Sequence, residues 1–137
     1  MKRILVVSGS RADFGLLEWP VKLLKEAFDV ELLKLWGACY TDVFGTMCGR
    51  TPDLMLVLGD RYEILAAVTA AHLQRIPIAH IAGGDVTLGS YDDAMRDCIS
   101  RMASIHFVTS TSAMARLTQM GLHNIHLVGN PGIDYIK

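Results

Sequence analysis

One stretch, Pro52 to Asp93, restricts the fold more than any other part of the chain. Leu54 to Leu58 is an unbroken apolar run that halts at Gly59-Asp60-Arg61. So short a run, with turn residues behind it, suits a strand buried on both faces. Arg61 to Gln74 is rich in Ala and Leu and apolar almost all round, which predicts a buried helix. Ile76 to Ile81 predicts a second buried strand, closed by Gly83-Gly84. Strand, helix, strand is the βαβ unit of a parallel sheet, with a right-handed crossover. In open sheets of this kind, ligands bind outside the carboxyl ends of the strands. Asp60, Arg61 and Asp85 fall on that edge.

The remaining sequence continues the alternation. Strands are predicted at Arg3 to Ser8, Asp29 to Leu35, Ile105 to Val108 and Asn124 to Val128. Helices are predicted at Leu16 to Ala27, from about Ser90–Asp92 to Ala103, and at Ala113 to Met120. Ser110-Thr111-Ser112 offers a helix cap and Gly121 a C′ stop. Pro20 has to lie near the first turn of its helix or kink it. Together these predict a doubly wound α/β parallel sheet, Rossmann-like, in a single domain over residues 1–137. Strand one is expected in the centre, with strand two on one side and strand three on the other. Trp36 to Thr51 is the least readable segment, with a short helix around Thr41 to Met47. Trp36, Tyr40, Val43, Phe44 and Met47 are expected to pack over the sheet face there. Strand two is then an unprotected edge, for which self-association into a homo-oligomer is the expectation.

Composition excludes several classes. A net charge of -1 gives no reason to expect nucleic acid or an anionic membrane as partner. No apolar run reaches the roughly 18 to 20 residues of a membrane span. The opening M-K-R-I-L-V-V-S reads as a first strand, not a signal peptide, because only five apolar residues precede Ser8. Cys39, Cys48 and Cys98 form no C-x-x-C pair, which points to a reduced, cytoplasmic protein. His72, His80, His106, His123 and His126 lack metal-ligand spacing and read as structural, so no metal is expected. Met102, Met114 and Met120 read as core filler.

Each candidate site residue has a bland reading beside its functional one. Gly9 to Gly15, G-S-R-A-D-F-G, suits a phosphate-binding turn to which Arg11 adds a guanidinium fork. It equally suits an ordinary βα turn, and it matches neither standard nucleotide motif. Asp60 at a strand end suits chemistry, or else an N-cap for the next helix. Glu63 reads as a helix-dipole partner. Asp85 follows two glycines that would let a ligand approach the backbone, or is a plain loop acid. Asp92 and Arg96, four apart, suit a local ion pair, and either Asp92 or Asp93 suits an N-cap. Taken together, the carboxylates and arginines suit acid–base chemistry on an anionic, phosphorylated substrate.

The same residues carry a family resemblance. G-S-R-A-D-F-G, V-L-G-D-R-Y-E-I and H-I-A-G-G-D-V-T-L-G-S-Y-D-D-A-M-R resemble the hydrolysing UDP-N-acetylglucosamine 2-epimerases of sialic and legionaminic acid pathways. The resemblance implies two Rossmann-like domains in a GT-B arrangement, with the site in the cleft. It implies elimination of UDP across C1 and C2 of the sugar, then addition of water, giving N-acetylmannosamine and free UDP, without metal or cofactor. It places Arg11 and Gly15 where the first turn meets UDP, and Arg61 and Arg96 beside the nucleotide sugar. Asp60 and Asp92 match catalytic carboxylates. Asp85 stands where family members have Glu, and Ala82 where some carry an acid. Trp36 to Thr51 is shorter than in the family. The resemblance places Asn130 to Lys137 where the first domain would pass into the second, so only the first domain is expected within residues 1–137. Two readings stay open: an epimerase acting on a UDP-sugar, incomplete as this chain alone, and a non-catalytic nucleotide-sugar-binding domain derived from one.

Overall fold

The computed structural model describes residues 1–86 and 92–131. Six parallel strands form one sheet in the order β2-β1-β3-β4-β5-β6. They are β1 (Arg3–Ser8), β2 (Asp29–Lys34), β3 (Leu54–Leu58), β4 (Ile78–Ile81), β5 (Ile105–Val108) and β6 (Ile125–Leu127). The helices between them are α1 (Arg11–Leu24), α2 (Tyr40–Met47), α3 (Tyr62–Leu73), α4 (Asp92–Met102) and α5 (Thr111–Gln119). This is the expected doubly wound, Rossmann-like fold. As foreseen, β1 lies between β2 and β3, and β2 is an edge.

The pleat divides the apolar strand residues between two faces. Leu5, Val7, Met55, Val57 and Ile78 share one core with α2, α3 and α4. Helix α3 is central there: Ile64, Ala66, Ala67, Val68, Ala70 and Ala71 are all buried, which is why its sequence shows no polar face. Ile4, Val6, Leu56, Leu58, Ala79 and Ile81 form the opposite core with Leu17 and Val21 of α1. Beyond α1 that face opens into an apolar groove lined by Leu23, Leu56, Ile105, Phe107 and Val128, among others. A third cluster joins Val108 to Ala113 and Leu117 of α5.

The starts of α1 and β4 differ from the sequence reading, each for a local reason. Helix α1 starts at Arg11, not Leu16, because Ser10 caps it by accepting the Asp13 amide at 3.1 Å. Pro20 therefore lies in the helix interior. Strand β4 begins at Ile78, since Ile76 is spent bonding its amide back to the Ala71 carbonyl. The predicted start of α4 near Ser90 lies outside the described residues. Val43 and Met47 of α2 join the core with Phe44 packed beside them, but Trp36 goes elsewhere. Its indole Nε1 donates to Ser8 Oγ at 3.1 Å and its ring meets Phe14 edge-on at 6.0 Å. Ser110 caps α5 and Gly121, at φ +81°, closes it as read from the sequence.

Candidate functional site

The carboxyl rim of the sheet gathers Asp60 and Asp85, with Asp93, around one buried arginine. Arg96, on the first turns of α4, is only 7% exposed. Its Nη2 donates to Asp60 Oδ2, just past the end of β3. Its Nη1 donates to Asp93 Oδ1 at 2.7 Å and to the main-chain carbonyl of Asp85, past the end of β4. One guanidinium thus ties three rim segments together. A local pair with Asp92 does not account for it, because Arg96 reaches 36 residues back along the chain to Asp60. A buried guanidinium demands such partners, since an unpaired one would cost several kcal/mol.

Asp60 is not the N-cap of α3. Arg61 holds that position, with no side-chain cap bond. The Asp60 carboxyl is held above the usual carboxylate range: burial raises it most, Arg96 pulls it down, and the charges of Asp92 and Asp93 raise it again. A carboxyl whose pKa burial raises, facing a fixed cation, is equipped for proton transfer. Asp92 and Asp93, at the start of α4, are thus electrostatically coupled to Asp60.

Asp85 is fixed by a different contact. The Thr109 hydroxyl donates to its carboxylate, 3.0 Å from one oxygen and 3.2 Å from the other. The two glycines before it are required by packing. A Cβ on Gly83 would stand 2.6 Å from Ser100 Oγ, and one on Gly84 would stand 2.5 Å from the Ala113 carbonyl oxygen. Gly84 also has φ +80°, where a side chain is strained. Arg116 of α5 donates to the Gly84 carbonyl at 2.6 Å, holding the turn against the next helix.

Arg61 leans on Glu63, with Nε 3.2 Å from Oε2, and its guanidinium remains nearly half exposed. Glu63 is fully buried, so it is this pair's anchor and not a simple dipole partner. Arg11 stands apart from the Arg96 cluster, its guanidinium carbon 5.7 Å from the Trp36 ring centre. Lys34 lies 4.4 Å from the Phe14 ring centre and 5.3 Å from that of Trp36. Gly15 lies in the second turn of α1, not in a turn preceding it, and a Cβ there would meet nothing within 4 Å.

Two groups at the rim escaped sequence reasoning. Asp13 is raised by burial, against the lowering effect of Ser10, and it is coupled to Asp60, Arg61 and Glu63. Its Oδ2 is buried without a hydrogen-bond partner among the described residues. The S-x-x-D spacing from Ser10 could have placed it at the head of a helix. His80, fully buried on β4, was read as merely structural. Its Nε2 lies 2.7 Å from the Gly59 carbonyl and its Nδ1 lies 3.0 Å from Ser100 Oγ. Burial drives its pKa down to about 4, more than the bond to Gly59 raises it.

The family model for UDP-N-acetylglucosamine 2-epimerase matches residues 6–137. A Neisseria meningitidis UDP-N-acetylglucosamine 2-epimerase is 31% identical over 176 aligned positions, covering 98% of this chain and 46% of the relative. A Legionella pneumophila UDP-N,N'-diacetylbacillosamine 2-epimerase (hydrolyzing) is 30% identical, covering 99% of this chain and 48% of the relative. Among solved structures, N. meningitidis UDP-GlcNAc 2-epimerase bound to UDP-GlcNAc superposes with a TM-score of 0.88 at 20% identity, covering 96% of this chain and 47% of that one. The chain spans about half the length of the relatives it matches. The match begins within β1 and runs through every rim segment that carries the clustered charges, and on it the chain belongs to the UDP-N-acetylglucosamine 2-epimerase family.

Proposed function

We propose that this rim binds the diphosphate and sugar of a UDP-sugar, and that Asp60 handles a proton in 2-epimerisation of the hydrolysing type. The substrate is UDP-N-acetylglucosamine or a diacetamido relative, and the products are UDP and the 2-epimeric free sugar, for a sialic- or legionaminic-type pathway. The observation that carries the reading is the Asp60 carboxyl at the end of β3, fixed by the buried Arg96 and raised in pKa by its burial. In the first step a base takes the C2 proton, the C1–O bond breaks and UDP leaves with its electron pair. Water then adds at C1 of the glycal while C2 regains a proton on the other face. Asp60, Asp85 and Asp92 supply the carboxyls; Arg11, Arg61 and Arg96 face the charge that develops on UDP, and Gly15, without a side chain, leaves room for it beside α1. The G-D-R-Y-E wording and the relative named as hydrolyzing support the hydrolytic branch.

We further read the chain as one wall of a cleft. Its half-length match to the relatives supports this. The 176-position alignment with a 137-residue chain fits a shortened Trp36–Thr51 segment. The three exposed free cysteines accord with a reducing, cytoplasmic setting. The edge β2 and the apolar groove beside α1 support self-association. The second reading, a nucleotide-sugar-binding domain without turnover, is favoured by that one-walled site, since catalysis needs water excluded and the diphosphate held from both sides. Incubation of the purified chain with UDP-N-acetylglucosamine, following UDP release, separates the two. Steady release establishes the enzyme from this chain alone; binding without release supports the one-walled site; neither binding nor release overturns the proposal.

A further inference from the structure

We infer that His80 is a positioning residue whose neutral imidazole, held by Ser100, fixes the Gly59 carbonyl and thereby aims the Asp60 carboxyl. The inference deepens the proposed function, since its importance rests on Asp60 being the reacting carboxyl.

The geometry leaves little freedom in how the ring is protonated. A carbonyl oxygen only accepts, so the 2.7 Å contact between His80 Nε2 and the Gly59 carbonyl requires the proton on Nε2. Nδ1 is then an acceptor, and the Ser100 hydroxyl donates to it across 3.0 Å. Both ring nitrogens are satisfied in a site with no exposure, so the ring has one orientation and one tautomer.

What the ring holds is the turn that carries Asp60. Gly59 has φ +90°, a conformation with no side chain to pack it in place. Its amide donates to the Ile81 carbonyl at 3.2 Å, and its carbonyl receives the His80 proton. The next residue is Asp60, whose carboxylate meets Arg96. Ser100 lies four residues after Arg96 on α4, so the two share a helix face. A closed circuit results: β4 through His80 to the β3 turn, Asp60 to Arg96, and α4 back through Ser100 to His80. Gly83 is glycine because a Cβ there would strike both Ser100 Oγ and, at 3.0 Å, His80 Nδ1. Space for this pair is therefore reserved by the backbone beside it.

His106 supplies an internal control. It is the register partner of His80 on β5 and is likewise buried, but its Nδ1 has no hydrogen-bond partner among the described residues. Its Nδ1 gives the Asp60 turn no hydrogen bond.

The test is NMR on the 137-residue chain. Nitrogen shifts of the wild-type His80 ring are expected to report the Nε2–H tautomer at pH 7; an Nδ1–H ring overturns the inference. The Asp60 carboxyl is then titrated by its 13C shift in three variants. His80→Gln places an amide N–H where Nε2–H was and is expected to leave the Asp60 midpoint within about 0.2 units. His80→Asn reaches only the Nδ1 position, frees the Gly59 carbonyl and is expected to lower the midpoint by about half a unit or more, towards an ordinary carboxylate. His106→Asn is expected to leave it unchanged. An unmoved Asp60 in His80→Asn, or an equal shift in His106→Asn, overturns the inference. Whether Asp60 meets substrate is read separately, from the shift of its own signal when UDP-N-acetylglucosamine is added to the wild type. The functional reading and the positioning circuit therefore fail on different measurements.

Discussion

Acid should destabilise this protein through His80, by an amount set by its burial. The imidazole lies between Gly59 and Ser100, with His106 and Arg96 as the charged or titratable groups acting on it, and its pKa falls from 6.5 to about 4. The unfolded chain therefore binds a proton near pH 6.5 that the folded chain refuses until about pH 4. Stability rises with pH wherever the unfolded state holds more protons, so this contribution is complete above the unfolded value. It is lost as pH drops through the window between them. Worked through the linkage relation, the loss is about 2 kcal/mol at pH 5 and about 3 kcal/mol at pH 4, relative to pH 7. Burial lowers His106 too and acts in the same direction. Asp60 and Asp13 are raised, so the folded state binds their protons more readily and they oppose the loss. Comparison with His80→Gln removes these shared terms, because Gln keeps a donor for Gly59 and does not titrate. Urea unfolding of both proteins at pH 7 and pH 5 is the assay. The wild type is expected to lose about 2 kcal/mol more than the variant over that interval. Equal losses would refute the argument that His80 is buried neutral.

Three further outcomes follow from the rim. Asp60→Asn should leave stability at pH 7 within about 1 kcal/mol in urea unfolding, because the burial cost of the carboxylate offsets its attraction to Arg96, which keeps Asp93 and the Asp85 carbonyl; a loss of about 3 kcal/mol or more would show that the ion pair outweighs that burial cost. Gly84→Ala should cost about 3 kcal/mol or more, since its Cβ meets a main-chain carbonyl at 2.5 Å with φ at +80°. Gly15→Ala, with open space around it inside a helix, should instead stabilise by about 0.5–1 kcal/mol and weaken UDP binding; a loss of stability would place Gly15 outside a regular helix. Light scattering should find a dimer or larger species through the β2 edge or the groove beside α1, and a strict monomer at high concentration would refute that.

The fold was legible because buried parallel strands announce themselves. Leu54–Leu58 is a continuous apolar run and Ile78–Ile81 is apolar but for His80, since both of their faces are covered, and short runs with glycines close behind them suit buried strands. The elements that slipped were those fixed by a single hydrogen bond. Ser10 as cap moved the start of α1 by five residues, from 16 to 11, and the pattern of leucines could not show it. At the site, residue types and rim positions were readable, but partners were not. Spacing suggests Asp92 for Arg96, whereas the third dimension adds Asp60 and Asp85. Gly83 and Gly84 look like an approach path for a ligand, and the neighbours that require them, Ser100 and Ala113, are distant in sequence. His80 has no motif of its own. Its importance is visible only once Gly59 and Ser100 stand on either side of it.

Chemical-shift mapping of the chain with UDP-N-acetylglucosamine tests the central claim most directly. The claim is that the carboxyl rim of β1, β3 and β4 is a UDP-sugar site with Asp60 at its reacting end. On the proposed one-walled reading, binding should be in the millimolar range, about 4 kcal/mol or less. The amides and side chains of Arg11, Gly15, Asp60, Arg61, Asp92 and Arg96 should shift together along one saturable curve, with the groove beside α1 unmoved. Shifts confined to that groove, or no shift on the rim at tens of millimolar ligand, would contradict the account.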